Sequence, residues 1–194
     1  MQKLLSEIKN CSICSEHLPL GPNPVVRFNQ SSKIIIIGQA PGTAVHKSSI
    51  PWDDPSGKRL RQWLNVSDEE FYNPDNFGII PMGFCYPGKG KSGDLAPRKE
   101  CAPKWHPTIF EKLPNVELIL LIGNYAQNYY LPDSKNLNLT NRVQRYADYL
   151  PQHFVLPHPS PRNAIWRKKN QWFEEDVVPV LTAVVSTILR SKKD

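Results

Sequence analysis

The sequence predicts an α/β fold: a three-layer αβα sandwich around a central four-stranded parallel sheet. Two observations predict it. Four short runs are continuously apolar, at residues 33–38 (KIIIIG), 77–82, 117–123 (ELILLIG) and 153–156. Such runs suit strands buried on both faces, as in the interior of a parallel sheet. Between them lie segments with apolar residues at helical spacing, and strands alternating with helices give a parallel sheet covered on both sides.

The elements follow in order. Leu4, Leu5 and Ile8 predict a first helix ending near Asn10. A C-x2-C pair, Cys11 and Cys14, opens a proline-punctuated coil. The first strand breaks at GQAPG (38–42) into a long polar loop, and a helix follows over 58–66 with Leu60 and Leu64 inward. Ser67 and Glu70 have the spacing of a capping box. The second strand leads into a Gly/Lys/Pro loop at 83–103, and the third into a helix running through Tyr130. Thr140 is read as the cap of a further short helix. The fourth strand ends in PHPSPRN (157–163), and the amphipathic tail over 174–189 reads as a helix in which Pro179 makes a kink or a first turn.

Composition bounds the function. The 194 residues suit one domain, spanning 1–194, and 40% hydrophobic with 22% charged residues excludes a disordered chain. The net charge of +6 and pI near 9.1 favour an anionic partner, nucleic acid first, although a basic enzyme with no such partner has the same balance. Nineteen prolines are about twice the usual share and call for stiff loops. No run reaches the ~18 apolar residues of a membrane span, and the N-terminus lacks the apolar core of a signal peptide. A cytoplasmic monomer is expected, and with it cysteines that are not disulfides.

The loops after strands one, two and four leave the same sheet edge, where ligands bind in parallel sheets. Gly38, Gln39, Ala40, Pro41 and Gly42 form a tight turn able to bring backbone N–H groups to a ligand. Trp52 offers a stacking surface. Asp54 is either a carboxylate at the cleft floor or the N-cap of the next helix. His158 is stiffened by flanking prolines, with Ser160, Arg162 and Asn163 close behind. Cys11, Cys14, Cys85 and Cys101 are either four ordinary cysteines or a tetrahedral thiolate set suited to zinc or an iron–sulfur cluster. A metal there would clamp the 83–103 loop to the coil at 11–24.

These residues resemble the uracil-DNA glycosylase superfamily over most of the chain. GQAPG is similar to its motif 1, and His158-Pro-Ser-Pro-Arg-Asn163 to its motif 2, closest to the single-strand-selective branch. The four cysteines fall where the family 4 and family 5 bacterial and archaeal enzymes place iron–sulfur ligands. The chain departs from the pattern at Gln39, where family 4 carries Glu, at Ala40, where family 1 carries Asp, and at Pro81, where a uracil-reading Asn often lies. Family 5 lacks these groups too and places an Asp in a segment resembling Asp54-Pro-Ser-Gly57.

The resemblance implies a DNA repair glycosylase that hydrolyses the N-glycosidic bond of uracil or another deaminated base flipped out of DNA. It implies catalytic roles for Asp54, His158 and Gln39, and base binding by Gly38, Ala40, Pro41, Gly42 and Trp52. It implies DNA contacts from Ser56, Gly57, Lys89, Lys91, Arg98, Ser160, Arg162 and Asn163. It also implies a structural [4Fe-4S] cluster on Cys11, Cys14, Cys85 and Cys101, with zinc as the alternative. A catalytically inactive DNA-binding relative is the second reading, motivated by Gln39 and Ala40.

Overall fold

The computed structural model describes residues 1–191. Four parallel strands form the sheet in the order β2-β1-β5-β6: β1 (Ile34–Ile37), β2 (Phe77–Ile79), β5 (Leu118–Ile122) and β6 (His153–Leu156). Register pairs Ile34 with both Phe77 and Leu118, and Ile119 with His153.

Alternation along each strand divides the core in two. Ile34 and Ile36, with Leu118, Leu120, Phe154 and Leu156, face one side. There they meet Leu60 and Leu64 of α3 (Pro55–Leu64) and Leu181 and Val185 of α9 (Val178–Arg190). Ile35 and Ile37, with Ile119, Leu121 and Val155, face the other side. They meet Leu4 and Ile8 of α1 (Gln2–Lys9), Trp105 and Ile109 of α5 (Cys101–Phe110), and Ala126 of α6 (Asn124–Tyr130). The four isoleucines of β1 have no exposed surface, and burying each is worth roughly 1.5–3 kcal/mol.

The local signals mostly act as the sequence predicts. Ser67 caps α4 (Asp68–Tyr72) with both halves of the capping box formed. Pro179 sits in the first turn of α9, preceded by one π-helical turn at Phe173–Val177. The expected cap at Thr140 is corrected. The helix α7 (Leu139–Gln144) begins one residue earlier, and the side chain of Asn138 accepts from Asn141 N–H; Thr140 Oγ1 instead accepts from the Trp166 indole. The loop after β1 contains α2 (Thr43–Ser48). The 83–103 segment contains a small hairpin, β3 (Lys89–Gly90) with β4 (Gly93–Asp94), and runs into α5. A short helix, α8 (Ala164–Lys169), follows the PHPSPRN segment. No helix among the described residues is long and apolar enough to cross a membrane.

Candidate active site

The carboxyl ends of β1, β2 and β6 open into one cleft of about 520 Å³, well inside the range of ligand pockets. One wall is the 38–42 turn with Trp52 and Asp54, and the other is His158, Ser160, Arg162 and Asn163. Pro81, after β2, and the hairpin residues Ser92, Gly93 and Asp94 complete it.

Two glycines make room for Trp52. A Cβ on Gly38 would lie 2.9 Å from the indole, and one on Gly57 would lie 1.7 Å from the Trp52 carbonyl oxygen. Trp52 itself holds φ +59, a left-handed conformation costly for a bulky residue. The result is an indole laid beside the His158 ring, with centroids 5.6 Å apart and planes 31° from parallel.

Asp54 is the N-cap of α3. Its Oδ1 accepts from Gly57 N–H at 2.7 Å, with Pro55 at the first helical position. The same carboxylate lines the cleft and acts electrostatically on His158. Capping and cleft roles therefore coexist in one side chain: one oxygen is held by the helix and the other is left over.

Burial lowers the pKa of His158 below the ordinary histidine value, and the Asp54 charge opposes that shift. The neutral ring is thus the resting form at neutral pH. Ser160 N–H donates to its Nδ1 at 3.2 Å, which places the proton on Nε2. The Asn163 amide donates to the His158 carbonyl at 2.8 Å, fixing the backbone beneath it.

The hairpin is fastened to both walls. The Gln39 amide donates to the Leu95 carbonyl at 3.1 Å, and the Arg162 guanidinium donates to the Ser92 carbonyl at 3.3 Å. Lys89 and Lys91 are exposed on this hairpin, outside the cleft lining. Ser56 is buried at the cleft margin, and Gly57 spends its N–H on Asp54. Arg98 is not brought to the cleft: it pairs with Glu100 at 2.6 Å and lies against the cysteines.

Cys11, Cys14, Cys85 and Cys101 come together from α1's end, the N-terminal coil, the 83–103 segment and the start of α5. All four are unbridged and line one small pocket walled by Leu18, Phe84 and Trp105. The coil is tied alongside by Val25 N–H donating to the Phe84 carbonyl at 2.8 Å. Burial pushes the Cys85 thiol up to about 11 and Cys101 up to about 12. No three Cys, His, Asp or Glu side chains among the described residues are set to hold a single ion.

Sequence reasoning missed Asp94, whose carboxylate oxygen would lie 3.4 Å from a Cβ on Gly42. The spacing of Gly90 and Gly93 around Lys91 and Ser92 is the hairpin signal that leads to it. It also missed His106. That buried ring donates from Nε2 to the Pro81 carbonyl at 3.0 Å, accepts from the Tyr130 hydroxyl, and stacks between Phe84 and Tyr130. Nothing in the spacing of a helix residue reveals that pairing.

A family model for the Uracil DNA glycosylase superfamily matches residues 25–182, which hold both cleft walls and the hairpin. The chain belongs to that superfamily. Within it, the chain is similar to the Type-4 uracil-DNA glycosylase of Thermotoga maritima, 24% identical over 166 residues covering 82% of each protein. It is also similar to a solution NMR structure from Methanosarcina acetivorans described as a candidate uracil DNA glycosylase. That match has a TM-score of 0.46 and 17% identity, covering 81% of this chain and 93% of that one. Membership supports DNA glycosylase chemistry.

Proposed function

We propose that this superfamily member is a monofunctional DNA glycosylase that hydrolyses the N-glycosidic bond of uracil, or of another deaminated base, flipped out of DNA. The observation that carries the reading is the facing of a neutral His158 and the Asp54 carboxylate across one cleft, beside Trp52.

DNA lies across the sheet edge, drawn by the +6 charge. The exposed Lys89, Lys91 and Arg162 supply cations at the rim. A nucleotide turned out of the stack enters the cleft and its base stacks on Trp52. As the glycosidic bond breaks, its electron pair leaves with the base, so the base becomes anionic and the sugar cationic. His158, with its proton on Nε2, donates to the departing base oxygen. The donor is already neutral and oriented, so little reorganisation accompanies the charge it meets. Backbone N–H groups of the 38–42 turn lie on the opposite wall. The carboxylate of Asp54 stabilises the sugar cation and orients water, whose oxygen bonds to the sugar carbon; its released proton balances the base anion. Gln39 holds the hairpin and lines the cleft, taking no proton.

The four cysteines suit a [4Fe-4S] cluster better than zinc. A lone tetrahedral ion draws its sulfurs to about 2.3 Å from one centre, and no three of these side chains are set for that, whereas a cluster spreads its thiolates over several irons. Burial holds the Cys85 and Cys101 thiols protonated, and binding a cluster or a zinc ion would draw those protons off. When bound, the cluster supplies no chemistry to the cleft; the cysteines use it to hold the root of the hairpin.

The deciding experiment is base release from single-stranded oligonucleotides carrying one uracil, hypoxanthine or xanthine. Alkali-labile sites formed by wild type and lost in His158→Ala support the reading. Tight, salt-dependent DNA binding without release of any base would make the chain a silent relative and would overturn it.

A further inference from the structure

Among the charged side chains of the cleft, Asp94 stands apart. The other charged groups, Oδ1 of Asp54 and the guanidinium of Arg162, each have a hydrogen-bond partner, as do the neutral Gln39 amide and His158 Nδ1. The Asp94 side chain accepts no hydrogen bond and makes no ion pair among the described residues. Yet its carboxylate is carried over the 38–42 turn, in contact range of Gly42. Its position is not accidental to a loose loop. The residues on either side, Gly93 and Leu95, are pinned: a Cβ on Gly93 would meet Arg162 at 2.4 Å, and Leu95 accepts from Gln39. The wall after β2 offers no N–H at Pro81, and the Pro81 carbonyl already accepts from the buried His106.

We infer that Asp94 is a specificity-determining residue that accepts a hydrogen bond from a ring N–H of the base in the cleft. An ionised carboxylate accepts and never donates. Deamination converts a ring nitrogen that carries a lone pair, as in cytosine or adenine, into a lactam N–H, as in uracil or hypoxanthine. Asp94 therefore attracts the deaminated edge and repels the parent edge. Because its negative charge does not favour the departing base anion, it acts on binding of the intact nucleotide more than on bond breakage. The inference deepens the glycosylase reading and rests on it for the kinetic arm of its test.

The test compares wild type, Asp94→Ala and Asp94→Asn on oligonucleotides carrying deoxyuridine or N3-methyldeoxyuridine, which lacks the ring N–H. Wild type is expected to prefer uracil. Asp94→Ala is expected to lower uracil release on the order of ten- to hundredfold, mostly in KM, and to lower N3-methyluracil release far less. The preference collapses. Asp94→Asn keeps a carbonyl acceptor and falls between, and it carries the test if the alanine variant does not fold. Equal loss on both substrates, or no loss, overturns the inference. If wild type releases neither base, the glycosylase reading fails, and fluorescence anisotropy with non-cleavable 2′-fluoroarabino versions of both oligonucleotides decides Asp94 separately. Tighter binding of the uracil strand, lost in Asp94→Ala, supports it; equal binding overturns it.

Discussion

Ser160 N–H donates to His158 Nδ1 at 3.2 Å, two residues along the same loop. The loop that follows β6 thus sets the tautomer of its own histidine. With Nδ1 occupied as an acceptor, the proton sits on Nε2, and burial keeps the ring from gaining a second one.

The first prediction concerns pH. A histidine whose pKa is lowered stays neutral through the ordinary histidine range and protonates only below it. Base release by wild type should hold level as pH falls to about 6.5 and decline only further into acid, and His158→Ala should lose two to three orders of magnitude at neutral pH. A pH–rate profile already declining above pH 7 would contradict a neutral His158.

The second prediction separates the two roles of Asp54. Asparagine caps helices about as well as aspartate, whereas alanine costs roughly 1 kcal/mol. Asp54→Asn should therefore melt within a few degrees of wild type and still lose about a hundredfold in base release, because the charge near the sugar is gone. Asp54→Ala should lose both. Full activity in Asp54→Asn would return Asp54 to helix capping alone.

The strands, the capping box and the two cleft walls were legible because each is a local signal. An Ile34–Ile37 run has few homes other than a parallel sheet, and loops after strand ends converge by topology. The Asp54 cap was legible because Asp54, Pro55 and Gly57 carry the cap pattern within four residues. The rest depends on contacts far apart in sequence. Helix α5 was hidden by prolines, since Pro103 and Pro107 argue against the helix they occupy. Pro107 sits on the solvent side, and buried Trp105, His106 and Ile109 hold the segment in place. Asp94 reaches the cleft only because Gln39 and Arg162 fasten its hairpin, pairings that span 56 and 70 residues. Asn138 outcompetes Thr140 as a cap through a one-residue shift, the least predictable feature of a helix boundary.

The third prediction follows from His106, where burial lowers the pKa to about 4. The unfolded chain binds a proton at ordinary pH values near 6.5 and the folded chain does not. Stability is therefore undiminished above about 6.5, falls as pH drops through the window from 6.5 to 4, and levels off below it, at a cost on the order of 3 kcal/mol. His106→Gln should be less stable at pH 8, where the contacts to Pro81 and Tyr130 are weakened, and should show a flatter acid slope. Urea midpoints at pH 8, 6 and 4 test this, and parallel curves for the two proteins would refute it.

The last prediction links the cysteines to the cleft. Cys85 and Cys101 bracket the hairpin that Gln39 and Arg162 hold over the 38–42 turn. The two strands of that hairpin are two residues each, too short to be stable unaided. Its position then depends on those two hydrogen bonds and, under the proposed cluster, on a clamp at its root. Cys101→Ala should lose iron and its absorbance together. It should keep the far-ultraviolet dichroism of the sheet and helices, because the core on the Ile34 and Ile36 face holds no cysteine, although Cys101 itself belongs to the core on the Ile35 and Ile37 face. Limited proteolysis should then cut first near Lys89, Lys91 and Lys99, and uracil release should fall with rising KM as the cleft loses its third wall. A Cys101→Ala protein that retains iron, or one whose hairpin resists trypsin as wild type does, would break the link between cluster and cleft. Loss of all secondary structure would instead make the cluster a requirement for folding the whole domain.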